Sequence, residues 1–342
     1  MSGHAHTAAE AALGIAARNA LRAPSIFNTQ PWRWQISGPE AVLLAEPGRR
    51  LTVTDPDGRL LLVSLGAALH HAVVTVAAEG WTPVVSRQPA LAGSGFSAPS
   101  EPDGSAAQVA RLRLGPYAPT DPEAQRLAAA IARRRTDRRA FLDRPVPAEV
   151  MTRLRRAVEA RGCYLHEVRP EQVPSLAAAV SRAAAEQQAD PAYRVELDNW
   201  THRSADTGDG VPAATVVDPA PRAVPMREFL LPGEEPGLRD TGHVDGAAYL
   251  VLFGADDDPA GWLRGGEALS ALLLTAEAAG LAASPFSEAM EMEWPRRLLT
   301  DLLDGVGTPY LVVRVGYADP GAGPPPAAPR RSAGEVVDYG DR

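Results

Sequence analysis

The strongest constraint on the fold is that the chain contains one segment twice. DPDGRLLLVSLGAALHHAVVTVAAEG begins at Asp55, and DPAGWLRGGEALSALLLTAEAAG begins at Asp258. Set 200 positions apart, Gly66, Ala68, Leu69, Thr75, Ala78 and Gly80 fall on Gly266, Ala268, Leu269, Thr275, Ala278 and Gly280. Alanine-rich helices resemble one another by composition, but here the leading Asp-Pro-x-Gly and the closing Gly repeat as well. Both segments read as helices, at about 59–79 and 261–279, with small residues along one face that let two helices approach closely. The 342 residues are enough for two halves, each with a share of a large core. The expectation is a duplicated chain whose halves pack like a homodimer.

The elements around the repeat alternate. A helix at 7–22 should stop near Ala23, because Pro24 disfavours helical geometry in the residue before it. Strands follow at 32–36 and 41–45 around a Ser-Gly-Pro turn. Residues 90–106 are small and polar with Pro and Gly, hence a loop; a strand at 109–114 and a helix at 121–134 come next. The second half reads as a helix from 146 to near 162, a strand at 163–168 and helices at 171–188 and 192–202. An irregular Gly-, Pro- and Asp-rich stretch spans 203–245. A strand at 247–253, the second repeat helix, a short helix at 294–303 and a strand at 310–315 complete it. The Pro-rich segment 319–329 should run extended along a surface.

Composition excludes several chemistries. All 34 basic residues are arginine, so there is no Schiff-base lysine, no P-loop lysine and no lysine phosphate clamp. A net charge of -8 disfavours a nucleic-acid partner. The single cysteine, Cys163, excludes an intramolecular disulfide and a cysteine-only zinc site. The first residues lack a signal-peptide pattern. The longest apolar run, 60–78, is interrupted by Ser64, Gly66, His70, His71 and Thr75. A cytoplasmic protein without a membrane span is expected. His70 and His71 read as packing residues, His4 and His6 as part of a loose terminus, and His202 and His243 fall in or beside the irregular region. No metal site is expected.

Three segments carry chemistry. RAPSIFNTQPWRW (22–34) offers Ser25, Asn28, Thr29 and Gln30 as hydrogen-bonding groups beside Trp32 and Trp34, stiffened by Pro24 and Pro31. It suits a flat heteroaromatic ligand as well as it suits a capped turn. RRRTDRRAF (133–141) has five arginines in seven residues, which is either a phosphate clamp or a solvated helix end. PRRSAGEVV adds Arg330 and Arg331 beyond the Pro-rich segment.

Taken together, RRTDR at 134–138, APSIFNTQPW at 23–32, GEALSALLLTAEAAGL at 266–281 and PRR at 329–331 resemble the FMN-dependent nitroreductase family. APSxxNxQPW is the most specific match, and the likeness covers nearly the whole chain. Ordinary members are shorter, carry the arginine segment before APSxxNxQPW and form homodimers with flavin sites at the interface. Here the order is reversed, and where a second APSxxNxQPW belongs the chain reads GCYLHEV. That pattern is similar to the single-chain, Acg-type branch, in which a pseudo-dimer binds one FMN.

The resemblance implies an α+β, nitroreductase-like three-layer α/β/α fold, internally duplicated with central mixed or antiparallel sheets. It divides the chain into a first half at 1–120, a second at 121–318 with a lid-like region at 201–245, and a basic tail at 319–342 that completes the flavin site. By the same likeness Arg134, Thr136 and Arg138 hold the ribityl phosphate or the pyrimidine edge, and Arg330 or Arg331 completes the clamp. Ser25, Asn28 and Gln30 bond the isoalloxazine edge or ribityl chain, and Pro31, Trp32, Arg33 and Trp34 line the site. Arg138 stands where members often put a lysine near the reduced flavin. No catalytic side chain is expected, because the flavin carries the chemistry. The implied activity is hydride transfer from NAD(P)H through FMN to a nitroaromatic, a quinone or a small metabolite. The alternative is an FMN-storing protein whose lid excludes both. A monomer with a small-molecule acceptor as its partner is expected.

Overall fold

The computed structural model describes residues 2–89, 107–201, 203–217, 222–229, 235–240 and 245–340, with the side chains of 2–7 and 205 left aside. The expected loop at 90–106 and the histidines at 202 and 243 lie outside the described residues, as do the side chains of His4 and His6. The first half runs α1 (Ser2–Ala20), β1 (Trp32–Ser37), β2 (Glu40–Ala45), α2 (Arg59–Ala78), β3 (Trp81–Arg87) and β4 (Ala107–Tyr117), and α3 (Pro122–Arg133) leads into the second. The second runs α4 (Ala148–Glu159), β5 (Tyr164–Glu167), α5 (Val173–Ala189), α6 (Pro191–Thr201), β6 (Ala248–Gly254), α7 (Pro259–Ala278), β7 (Ala282–Phe286), α8 (Glu293–Leu302) and β8 (Thr308–Gly316). A short α9 (Ala333–Val336) and β9 (Val337–Tyr339) close the chain.

The duplication is visible in the strand order. One sheet reads β3-β4-β2-β1-β9 and the other β7-β8-β6-β5, so, β9 aside, each half repeats the same arrangement. The two repeat helices pack on each other around Gly66 and Gly266. A Cβ on Gly66 would lie 2.0 Å from the Leu263 carbonyl oxygen, and one on Gly266 would lie 2.0 Å from that of Val63. Position 63 touches 266 and 263 touches 66, the reciprocal contact of a two-fold interface. The Asp-Pro-x-Gly pair is less symmetric than it looks. Asp258 caps α7 directly, accepting from the Gly261 amide at 2.7 Å, whereas Asp55 sits one turn further out and accepts from Leu60 and Leu61 amides at 3.1 and 2.8 Å. α2 is long and apolar enough to cross a membrane, yet it is almost wholly buried within the fold.

β3 and β7 are strands that the sequence reading passes over, and both for one reason. Each contains a proline, Pro83 and Pro285, and both strands are sheet edges, where a missing donor costs nothing. β9 is also unexpected; it pairs in parallel with β1, Trp34 opposite Val337, and ties the end of the chain to the first half.

The two sheets differ in cover. In β1, Trp32, Trp34 and Ile36 face the core while Arg33, Gln35 and Ser37 alternate outward. β8 is buried at nearly every position, because α4 and α7 lie on one face of its sheet and α5 and α8 on the other. The three-layer arrangement therefore belongs to the second half. The first half joins β1 to β2 by a tight turn where the second inserts 168–247 between β5 and β6, and this insertion supplies α5, one of the two outer helices.

Candidate functional site

A cavity of about 190 Å³ opens between the halves. The loop after α1 contributes Pro24, Ser25, Phe27 and Asn28; α2 contributes Leu60, Val63 and Ser64. The arginine segment supplies Arg134, Thr136 and Arg138, the insertion Gly210, Val211, Pro212, Thr215, Met226, Arg227 and Phe229, and the tail Pro326 to Ala328 with Arg330. Among the described residues six arginines line it against one carboxylate, Glu288.

The five arginines of 133–139 do different things. Arg133 pairs with Glu277 at the surface, and Arg135 caps the end of α3 by donating to the Ala132, Arg133 and Arg134 carbonyls. Arg139 is buried against Asp137 at 2.7 Å and donates to the tail carbonyls of Ala322 and Gly323. Arg134 and Arg138 face the cavity without a carboxylate bonded to either among the described residues. Arg134 donates from Nη2 to the Arg22 carbonyl at 3.2 Å, while its Nε and Nη1 are buried and unpartnered. Arg138 lies over the Phe229 ring at 4.8 Å. The segment itself is pinned by acids, since Asp240 accepts from the Ala140 amide and Asp245 from the Phe141 amide, each at 3.0 Å. Asp245 is in turn held by Arg314, which is fully buried in β8. The sequence carries no signal for that pairing beyond a lone arginine in an apolar strand.

Arg330 joins Arg134. It reaches the same Arg22 carbonyl at 3.3 Å and the Asn28 side-chain oxygen at 3.1 Å, with its Nε unpartnered. Burial, and then the repulsion of Arg134, push the Arg330 guanidinium down to about 9; burial, and then Arg135, bring Arg134 down to about 10. Burial also lowers Arg138 to about 10, with Glu288 pulling the other way. Two guanidiniums that share the Arg22 carbonyl, with idle donors and no bonded acid among the described residues, have the chemistry to hold a dianion such as a phosphate monoester.

The first-half loop is strained. Phe27, Asn28 and Gln30 hold φ of 45, 54 and 48°, unusual for residues with a Cβ. Contacts from distant segments hold it there. Asn28 Nδ2 donates to the Gly210 and Pro329 carbonyls, both at 3.0 Å. Gln30 Nε2 donates to the Gly208 carbonyl at 2.8 Å, and its Oε1 accepts from the Arg331 amide at 3.0 Å. Arg49 and Arg203 both pair with Asp209.

Of the residues singled out by sequence, Ser25, Asn28, Arg134, Thr136, Arg138 and Arg330 meet at the cavity. Gln30, Pro31, Trp32, Arg33, Trp34 and Arg331 are not among the residues that line it. Strand alternation sends Trp32 and Trp34 into the core and Arg33 outward to Asp338. Arg331 is taken up by Glu46 at 2.6 Å, and Gln30 by the tail and Gly208. Gln30 is thus a strut, and Gln30→Ala should leave two half-buried backbone groups, the Gly208 carbonyl and the Arg331 amide, without that partner, destabilising the protein by about 1–3 kcal/mol in denaturant titrations. Phe27, Arg227, Phe229 and Glu288 line the cavity unannounced, the last three because they come from irregular or loop segments. His70 and His71 are fully buried on α2, each Nδ1 2.8 Å from the Ser270 hydroxyl across the helix pair. Burial first, then Arg134, pushes His71 down to about 3, so it stays neutral.

Across the pseudo-two-fold axis, no second site of this kind forms among the described residues. At the 200-position offset Arg87 matches Ser287, which lines the first site. Arg87 grips buried Glu267 through two bonds of 2.6 and 2.8 Å.

No family model matches the chain. The Mycobacterium tuberculosis protein "Putative NAD(P)H nitroreductase Rv3131" is 37% identical over 322 residues, covering 94% of this chain and 89% of that one. "Putative NAD(P)H nitroreductase acg" of the same organism is 36% identical over 322 residues, covering 93% and 92%. Among solved structures, the FMN and NADPH-dependent nitroreductase NfnB from a Sphigopyxis strain aligns with a TM-score of 0.41 and 19% identity, over 63% of this chain and 99% of that one.

Proposed function

Because the chain belongs to the nitroreductase family, in its Acg-type branch, we propose that it is an FMN-dependent oxidoreductase that passes electrons from NAD(P)H to a nitroaromatic, quinone or similar small acceptor. The observation that carries the cofactor is the pair of buried Arg134 and half-buried Arg330, cations with idle donors and no bonded carboxylate among the described residues. They would hold the phosphate, with Asn28 fixing Arg330 in place. Thr136 and Ser25 supply hydroxyls along the wall, and Arg138 supplies positive charge at the aromatic end beside Phe229. Bound FMN would supply hydride acceptance and donation, which no side chain here can provide. The protein's part is to bind, to orient, and to keep a cation by the electron-rich edge; an arginine does this without losing its proton.

One FMN per chain is expected, because Arg87, the counterpart of cavity-lining Ser287 in the other half, is taken up by Glu267. Purified holoprotein mixed anaerobically with NADH or NADPH should lose its flavin absorbance and regain it on addition of an acceptor. A second reading has its own support. The insertion is bonded across the loop at Gly208, Asp209 and Gly210, which favours a protein that holds FMN without turning it over. Absorbance that does not change with either nucleotide would select that reading.

A further inference from the structure

Reduction of a quinone or nitro group by hydride also consumes a proton, and the cavity offers few sources. Among the described residues that line it, Glu288 is the only carboxyl group, and His, Cys, Tyr and Asp are absent. The arginines keep their protons at neutral pH. Behind the wall lies a second carboxyl group, Glu291, whose side chain is 1% exposed. Its Oε1 accepts from the Ser287 hydroxyl at 2.7 Å, and Ser287 lines the cavity.

Two carboxyl groups gather on Arg227 here. Arg227 Nη2 bonds both Glu291 oxygens at 2.6 and 2.8 Å, and the Arg227 amide donates to Glu288 at 2.7 Å. Like charges in a dry pocket favour retention of one proton between them. We propose that Glu291 stores the proton used by the acceptor and that the Ser287 hydroxyl hands it into the cavity. The inference rests on the oxidoreductase reading. When hydride forms its bond to a quinone, an oxyanion is left. With Glu291 protonated the contact reverses and its O–H donates to Ser287 Oγ. The Ser287 proton then moves to the oxyanion, and the Glu291 proton moves to Ser287 Oγ. Once product leaves, water in the cavity returns a proton to Glu291 through the same hydroxyl.

The surroundings fit. Burial pushes Glu291 up to about 7 against the pull of Arg227, and Glu288 adds to the rise. From α5, Gln187 donates to Glu291 at 2.6 Å; from α6, Tyr193 stacks under Arg227. From the arginine segment, Arg138 faces Glu288 but bonds to the Thr215 carbonyl. On α8, Arg296 turns to the Met290 carbonyl and Glu293 pairs with Arg297 at the surface.

The test compares a quinone with ferricyanide, which takes electrons and no proton, in the flavin-loaded enzyme. Ser287→Ala should lower the quinone-to-ferricyanide ratio of kcat about 100-fold, within the range of general acid catalysis. Wild-type quinone turnover should fall as pH rises through about 7, and Glu291→Gln should flatten that dependence. Infrared difference titration without reductant should give a protonated-carboxyl band that is missing in Glu291→Gln. An unchanged acceptor ratio in Ser287→Ala, or no such band in wild type, overturns the relay alone. Flavin that neither nucleotide reduces overturns the oxidoreductase reading and the relay with it.

Discussion

Gly66→Ala should be among the most damaging single substitutions in this chain. The added methyl carbon would sit 2.0 Å from the Leu263 carbonyl oxygen and 2.9 Å from the Glu267 amide, both backbone atoms of the facing helix. No rotamer change relieves such a contact, so α2 and α7 must move apart. The core they share, which includes Leu62, Leu65, Leu69, Leu269, Leu272 and Leu273, opens with them. Overpacking a well-filled core costs about 1–3 kcal/mol when side chains can adjust. Here, with backbone against backbone, a loss on the order of 4 kcal/mol or more is expected, and thermal unfolding would drop by roughly 10 °C. Gly266→Ala should match it, because its Cβ meets Val63 in the same way. A surface glycine such as Gly48, with nothing within 4 Å of its would-be Cβ, is the control.

Arg134→Met should move stability and affinity in opposite directions. The Arg134 guanidinium is held below its ordinary value, near 10, by burial first and then by Arg135. A base whose folded value is lowered destabilises the fold at every pH where it stays charged, which here means below about 10. Methionine fills similar space without a charge, at the cost of one bond to the Arg22 carbonyl. The flavin-free variant should therefore be more stable than wild type by about 1–3 kcal/mol. Its affinity for FMN should fall about 100-fold, the worth of one lost charged contact to phosphate. Calorimetry of the flavin-free protein and a flavin fluorescence titration read the two effects separately. Lower stability together with unchanged affinity would mean that Arg134 is structural.

Much of this was legible in the sequence, and the gaps have physical causes. The repeat foretold the packed pair α2 and α7, because small residues spaced along a helix leave few other uses for themselves. It did not reveal that Asp55 and Asp258 cap from different distances, since a four-letter match is blind to loop length. The strands with Pro83 and Pro285 were passed over because proline argues against a strand unless the strand is an edge, and edges are decided by tertiary structure. For the site, the arginine segment was recognisable as a whole, but its division of labour was not. Arg133, Arg135 and Arg139 are taken up by Glu277, helix carbonyls and Asp137, partners that only the fold selects. The motif APSxxNxQPW pointed to the right loop, yet half of its polar and aromatic residues support that loop from behind. Arg227, Glu288 and Glu291 were missed because no spacing rule connects an irregular insertion to the turn after an edge strand.

In the proposed function, two halves of one chain build a single phosphate-anchored flavin site. Titrating the flavin-free protein with FMN and with riboflavin, the same ring system without the phosphate, tests it most directly. Two charge-assisted contacts worth about 1.5–3 kcal/mol each predict FMN binding roughly 10²–10⁴-fold tighter than riboflavin. Saturation should come at one FMN per chain, with the preference reduced in Arg134→Met. Equal affinity for the two flavins, or two FMN per chain, would contradict the account.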